Sequence, residues 1–304
     1  MNQQDYKFFE DLLRKESGLV ITQEKMYLLE SRLIPLAQKY TAQGTLESLA
    51  QKLRGFEPDI QRAVIEAMTT NETSFFRDIT PFQRLKEDLL PVYIKARAAQ
   101  KTLKIWCAAC SSGQEPYSLS MLLKEHPLLS GWRIDILATD LSNQILAQAK
   151  AGSYSQFEVQ RGLPVQMLVK YFNKQADNWI VKPELKDPIT FKTANLLTDI
   201  PHLGQFDIVF CRNVLIYFDV PTKAKVLSAI QGVIKQDGAL FLGGAETVIG
   251  ITEAFKPLPD TRGVYVRADS TFVPEKKAAA PAVAGATAPK PASAAGSPAT
   301  PQTK

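Results

Sequence analysis

Apolar and polar positions follow two different rhythms along the chain, and the change falls near residue 80. Before it the period is helical. Phe8, Phe9, Leu12 and Leu13 share one face, and the pattern stops at Gly18, suited to a C-terminal cap. A second helix is expected from Thr22 as N-cap through Met26, Leu29, Leu33 and Leu36, with Pro35 kinking or interrupting it. Thr45 to Leu53 predicts a third, and Pro58 opens a fourth whose apolar face carries Ile60, Val64, Ile65 and Met68. These make an all-α domain over 1–79.

After Thr80, read as the N-cap of a helix bearing Phe82, Leu85, Leu89 and Tyr93, short continuous apolar runs take over. Leu103 to Cys110, Ile134 to Asp140, Phe206 to Cys211 and Ala239 to Leu242 read as buried strands. Helices are expected at Pro116 to Lys124, Asn143 to Lys150 and Pro221 to Ile234. This alternation predicts an α/β class with a doubly wound, Rossmann-like parallel sheet, whose ligand lies at the carboxyl ends of the strands. It breaks over about 153–190, where a helix (Pro164 to Phe172) precedes Trp179-Ile180-Val181 and Ile189-Thr190-Phe191. Those two runs are expected to pair as antiparallel strands across Lys182 to Pro188, forming a small β insert in a domain of 80–273.

Composition changes the picture mainly at the C-terminus. Residues 275–304 hold 11 Ala and 5 Pro with almost no large apolar side chains, so 274–304 is expected to be a disordered tail. The formal charge of +5 is concentrated there: over 1–274 there are 32 basic and 30 acidic residues, a net of +2. A nearly neutral folded part argues against a nucleic-acid partner. Three cysteines cannot build a disulfide framework, and with the polar start Met1-Asn2-Gln3-Gln4-Asp5 they suggest a cytoplasmic chain. No apolar run is long enough for membrane insertion. With only His126 and His202, a histidine metal site or a Ser/His/Asp hydrolase is not expected.

The turn Cys110-Ser111-Ser112-Gly113-Gln114-Glu115-Pro116 offers small residues for close ligand approach, but a single glycine and an acid where phosphate would sit. That combination suits a nucleoside ligand with a cationic or zwitterionic group, such as S-adenosyl-L-methionine (SAM); an ordinary strand-to-helix turn fits it as well. Asp140 ends the second strand 27 residues after Gly113, where an acid can accept from ribose hydroxyls or simply cap a helix. Two polar runs interrupt apolar sequence: residues 69–78 (TTNETSFFRD) at the domain joint, and 211–218 (CRNVLIYF) after the strand expected beside the first. Taken singly, Arg77 and Arg212 also fit surface ion pairs, and Tyr217 a packing role.

Together the runs TTNETSFFRD (69–78), CAACSSGQEPYSLSM (107–121), ILATDLS (136–142), YSQFEVQRGLP (154–164), LVKYF (168–172), FKTANLL (191–197) and FDIVFCRNVLIYFD (206–219) resemble the CheR family of chemotaxis receptor methyltransferases. The similarity extends to about Val273, in the family's order and spacing. It implies a SAM-dependent protein-glutamate O-methyltransferase that releases S-adenosyl-L-homocysteine, uses no metal and acts on the cytoplasmic signalling domains of methyl-accepting chemoreceptors, as a monomer.

Carried over by position, Asn71, Thr73 and Arg77 would line the cofactor site. Glu115 and Asp140 would hold the methionine and ribose groups, Asn195 and Leu196 would border the adenine, and Arg212 and Asn213 would complete the pocket. Arg77 and Tyr217 would lie closest to the transferred methyl and act as catalytic residues. A glutamate nucleophile is ionised at pH 7 and needs no general base, in keeping with the scarcity of histidine.

Two features depart from the pattern or compete with it. Family members tethered through a C-terminal receptor pentapeptide carry a longer, glycine-containing loop in the insert. Here only residues 173–178 separate Phe172 from Trp179, without glycine, which predicts a pentapeptide-independent enzyme. Cys107 and Cys110 form a C-x-x-C but lie on a buried strand without a second pair, so inert core thiols are expected. For receptor docking, Lys25, Arg32 and Lys39 fall seven apart and are expected to form one basic stripe on the second helix, although a merely solvated face fits equally. The alternatives in function are the same fold methylating another protein or a small acid, and a SAM-binding regulator without turnover.

Overall fold

A computed structural model describes residues 1–272, which lie in one compact unit. The expected 274–304 tail falls outside the described residues. The first four helices are α1 (Gln3–Ser17), α2 (Met26–Tyr40), α3 (Leu46–Arg54) and α4 (Pro58–Met68). They bury Phe9, Leu13, Leu29, Leu33, Leu49 and Val64 in one core, as the period predicted. Gly18 caps α1 at φ +77, and its N–H donates to the Arg14 carbonyl.

The start of α2 differs from expectation. Thr22 precedes a single 3-10 turn, Gln23–Lys25, makes no side-chain cap, and α2 begins at Met26. Pro35 does not interrupt it: the helix continues to Tyr40, with Leu33 and Ala37 buried on either side of the proline. Burial of that face outweighs the one backbone hydrogen bond a proline removes.

After the joint, α5 (Thr80–Arg84), a π-helical turn (Leu85–Leu89) and α6 (Leu90–Ala96) form consecutive helical segments. Thr80 is its first residue, not its cap; the cap position is Ile79, held at φ +32. The remaining elements are β1 (Thr102–Ala108), α7 (Gln114–Lys124), β2 (Arg133–Asp140), α8 (Asn143–Ala151), β3 (Ser153–Ser155), α9 (Gln156–Gln160), α10 (Val165–Tyr171), β4 (Phe172–Gln175), β5 (Asn178–Val181), α11 (Pro183–Lys186), β6 (Ile189–Thr193), β7 (Phe206–Cys211), α12 (Val220–Val233), β8 (Ile234–Leu242), β9 (Phe255–Pro257) and β10 (Val264–Arg267).

The main sheet has seven strands in the order β6-β2-β1-β7-β8-β10-β9. Its first five are parallel, and β10 and β9 add an antiparallel edge that the sequence reading did not contain. Alternate residues divide between two cores. Leu103, Ile105 and Cys107 face α5, α6 and α7, while Trp106 and Ala108 face α12. Both faces are covered, which is why the strands read as continuous apolar runs.

The insert is built otherwise than expected. Residues 179–181 belong to β5, which pairs with β3 on one side and β4 on the other in a separate three-stranded antiparallel sheet. Ile189-Thr190-Phe191 belongs to β6, parallel to β2 in the main sheet. Between them, Pro183 opens the short helix α11, which buries Leu185, so this stretch is no hairpin.

Candidate functional site

The cleft at the carboxyl ends of β1, β2 and β7 is assembled from six separate stretches of chain. It encloses about 990 Å³ of open space, including solvent at its mouth, within the range of small-molecule sites. The first wall is the turn after β1. Ala109 and Ser111 adopt left-handed backbone conformations (φ +53 and +51), as does Gly113 (φ +94), which swings the chain away from the strand and into α7. A Cβ at Gly113 would lie 3.0 Å from the Ala149 Cβ and 3.1 Å from the Tyr154 hydroxyl, so glycine is needed for spacing as well as for φ.

Asp140, at the end of β2, locks this turn. Its Oδ2 accepts from the Ser111 N–H at 2.9 Å and its Oδ1 from the Ser142 N–H at 3.0 Å. Burial raises its pKa, while backbone N–H groups of Ser142, Ser111 and Leu141 oppose the rise. The remaining lone pairs of this carboxylate border the cleft.

The joint 69–78 forms the second wall and is fixed from several sides. Phe75 inserts into the insert's core, edge-on to Tyr154 and Phe172, and Phe76 packs against Phe82 on the main sheet. The Phe76 N–H donates to Ser118 Oγ, and Ser111 Oγ donates to the Asn71 carbonyl. Gly162 lies so close that a Cβ there would sit 2.1 Å from the Phe75 carbonyl oxygen. Asn71, Thr73 and Arg77 all line the cleft.

Arg212, after β7, is buried and gathers three partners. Its Nη1 donates to Glu115 Oε2 at 2.8 Å, and its Nη2 donates to Asp78 Oδ2 at 2.7 Å and to the Arg77 carbonyl at 2.9 Å. Burial pushes Glu115 above the usual carboxylate range, and the charge of and hydrogen bond from Arg212 pull it back. Arg77 is placed differently: its Nη1 donates to the Glu72 carbonyl at 2.7 Å, and it makes no ion pair among the described residues, its charge reaching Glu115 only at longer range. Asn213 follows at φ +59, in the left-handed region asparagine tolerates best among larger residues, and Tyr217 lies on the next 3-10 turn, Leu215–Tyr217.

All ten residues expected at the cofactor and catalytic site therefore border one cleft. Asn195 is nonetheless committed: its Nδ2 donates to the Glu16 carbonyl and its Oδ1 accepts from the Leu197 N–H, so it shapes the wall instead of offering its amide. Leu196 beside it is largely buried. Of the expected basic stripe, Lys25 and Lys39 are exposed and Arg32 is engaged elsewhere. Arg32 Nη1 donates to the carbonyls of Met68 and Thr69, both at 2.9 Å, tying α2 to the joint; Lys39 lies over its neighbour Tyr40, and Lys25 belongs to the 3-10 turn ahead of α2. Burial pushes the thiols of Cys107 and Cys110 well up, as expected of inert core cysteines.

Ser17 and Leu19 also line the cleft, and sequence reasoning missed them. The end of α1 is brought there because a Cβ at Gly18 would fall 2.9 Å from the Phe218 ring, the Val20 N–H donates to the Tyr217 carbonyl, and Arg14 pairs with Asp219. Only the glycine signal was visible in the sequence.

The donor set fits a zwitterionic nucleoside better than a phosphate ligand: two buried acids face the cleft from the first turn of α7 and the end of β2, and the turn offers no glycine-rich cradle. The family model described as "CheR methyltransferase, SAM binding domain" matches residues 71–264. Chemotaxis protein methyltransferase 1 of Pseudomonas aeruginosa is 41% identical over 271 residues, 87% of this chain and 97% of that protein. Chemotaxis protein methyltransferase Cher2 of Pseudomonas putida is 38% identical, covering 87% and 98%. Chemotaxis protein methyltransferase 1 of Vibrio cholerae is 37% identical, covering 88% and 98%.

Proposed function

Because this chain belongs to the CheR methyltransferase family and is a SAM-dependent methyltransferase, we propose that it esterifies specific glutamate side chains on the cytoplasmic signalling domains of chemoreceptors, in chemotaxis adaptation. The observation that carries the reading is the convergence of Arg77, Glu115, Asp140, Arg212, Asn213 and Tyr217, far apart in sequence, on one cleft.

Glu115 and Asp140 would hold the amino and ribose groups of SAM, with Asn71, Thr73 and Asn213 around them and Leu196 against the base. Bound SAM supplies an electrophilic methyl on a sulfonium. Ser17 and Leu19 narrow the cleft and limit water, which strengthens interactions inside it. The incoming glutamate is already ionised, so the protein's task is orientation. Arg212 is already paired with Glu115 and Asp78, which leaves Arg77 to steer the acceptor carboxylate. Its hold must be loose, since the carboxylate loses its charge as the ester forms. Among the described residues the Tyr217 hydroxyl has no hydrogen-bond partner and is available to fix the acceptor oxygen.

We further propose a functional division into a helical module (1–79) and a SAM-binding module (80–273), with the protein acting as a cytoplasmic monomer without metal, and release of S-adenosyl-L-homocysteine. No helix among the described residues is long and apolar enough to cross a membrane. The β4–β5 hairpin turns on Ala176 and Asp177 alone, which supports independence from a receptor's C-terminal tether. Incubation with methyl-labelled SAM and receptor signalling domains tests both claims. Base-labile methanol should be released equally from receptors with and without their C-terminal tails. Label stable to base, or none, would refute carboxyl methylation, and release only from tailed receptors would refute tether independence.

A further inference from the structure

We propose that Glu246 is a positioning residue of the methyl-transfer site, holding the loop that presents Arg212, Asn213 and Tyr217; this rests on the methyl-transfer reading above. Glu246 follows β8 in the turn Gly243-Gly244-Ala245-Glu246 and does not border the cleft. Its carboxylate collects four backbone N–H groups from two loops. Oε2 accepts from Asn213 at 2.8 Å and Gly243 at 2.7 Å, and Oε1 from Val214 at 3.0 Å and Ile216 at 3.3 Å.

This concentration is what a left-handed turn requires. With Asn213 at φ +59, the N–H groups of Asn213, Val214 and Ile216 converge on one side, a concavity that ordinarily attracts an anion. Here the anion is internal. Gly243 lets it approach: a Cβ there would lie 2.7 Å from Glu246 Oε2 and 2.8 Å from Asn213 Nδ2. Without the carboxylate the converging N–H groups lose their common acceptor, and no other backbone hydrogen bond among the described residues holds the Asn213 N–H. The loop would relax and shift the Tyr217 hydroxyl from the acceptor, while Arg212 stays anchored by Glu115, Asp78 and the Arg77 carbonyl. The ribose side of the cleft rests on Asp140 and Ser111 and would be spared.

The test compares Glu246→Ala and Glu246→Gln with the wild type, reading kcat at saturating SAM, the dissociation constant for SAM, and amide hydrogen exchange across the chain. For Glu246→Ala we expect kcat to fall on the order of 10²-fold, as a displaced reacting geometry does. SAM affinity should change far less, and exchange protection should be lost at Asn213, Val214, Ile216 and Gly243 only. Glu246→Gln keeps one acceptor oxygen and should recover part of both kcat and protection. Wild-type kcat with wild-type protection in both variants, or a loss of SAM affinity matching the loss of kcat, overturns the inference. If the wild type itself transferred no methyl to receptors, the substrate reading would fall; exchange would then decide alone, with unchanged protection at Asn213, Val214 and Ile216 overturning the role given to Glu246.

Discussion

The two ends of the parallel sheet each bury an arginine among carboxylates, and they are built for different purposes. At the amino ends, Arg97 donates to Asp207 and Asp237, Lys235 donates to Asp207, and the Lys104 N–H takes the second oxygen of Asp207. Asp207 is 1% exposed, and the Tyr93 hydroxyl closes the cluster against the carbonyls of Asp207 and Asp237. At the carboxyl ends, Arg212 joins Glu115 and Asp78, but this group forms the wall of a cleft. Among the described residues each arginine leaves one buried N–H without a partner, Arg97 Nη1 and Arg212 Nε. An orphaned guanidinium N–H is therefore no mark of a ligand site by itself; access is what distinguishes the two.

The largest effect that could break this division lies at the sealed end. Asp207→Ala leaves the buried Arg97 with Asp237 alone and Lys235 without its carboxylate, and should lower unfolding free energy by about 3–5 kcal/mol in urea titrations, the range for removing one partner of a buried pair. Methyl transfer per folded molecule should stay at the wild-type level; a steep fall in transfer by the molecules that remain folded would erase the distinction between the ends. Arg212 gives a smaller, mixed result that sharpens it. Arg212→Met strands the buried Glu115 carboxylate, costing about 1–3 kcal/mol of stability, and should also weaken SAM binding measured by calorimetry. Unchanged SAM affinity would move Arg212 to the purely structural side.

How far the sequence reveals these features depends on how local they are. β1, β2 and β7 were legible because strands covered on both faces are continuous apolar runs, and Gly18 and Pro58 mark helix ends by their own backbone preferences. β6 was misread because an apolar run a few residues after β5 looks like a hairpin partner, whereas its pairing with β2 depends on a crossover that sequence distance does not show. β9 and β10 were missed because both are short. Most of the cleft was reached through ordered motifs, which encode residues that meet only in three dimensions. Ser17, Leu19 and Glu246 were not, since each acts through a contact made by tertiary packing. Arg32 fits the spacing of a docking stripe, yet its guanidinium is used on two carbonyls of the joint, which no periodicity reveals.

The central claim is that chemistry belongs to the open end, with Arg77 steering the acceptor carboxylate and Tyr217 fixing its oxygen. Its most direct test is kcat for receptor methylation by Arg77→Ala and Tyr217→Phe, measured at saturating SAM alongside SAM affinity. The account predicts falls of about 10² for Arg77→Ala, comparable to losing one preorganised donor, and a smaller but clear fall for Tyr217→Phe. Wild-type kcat in both variants with SAM affinity intact would contradict it.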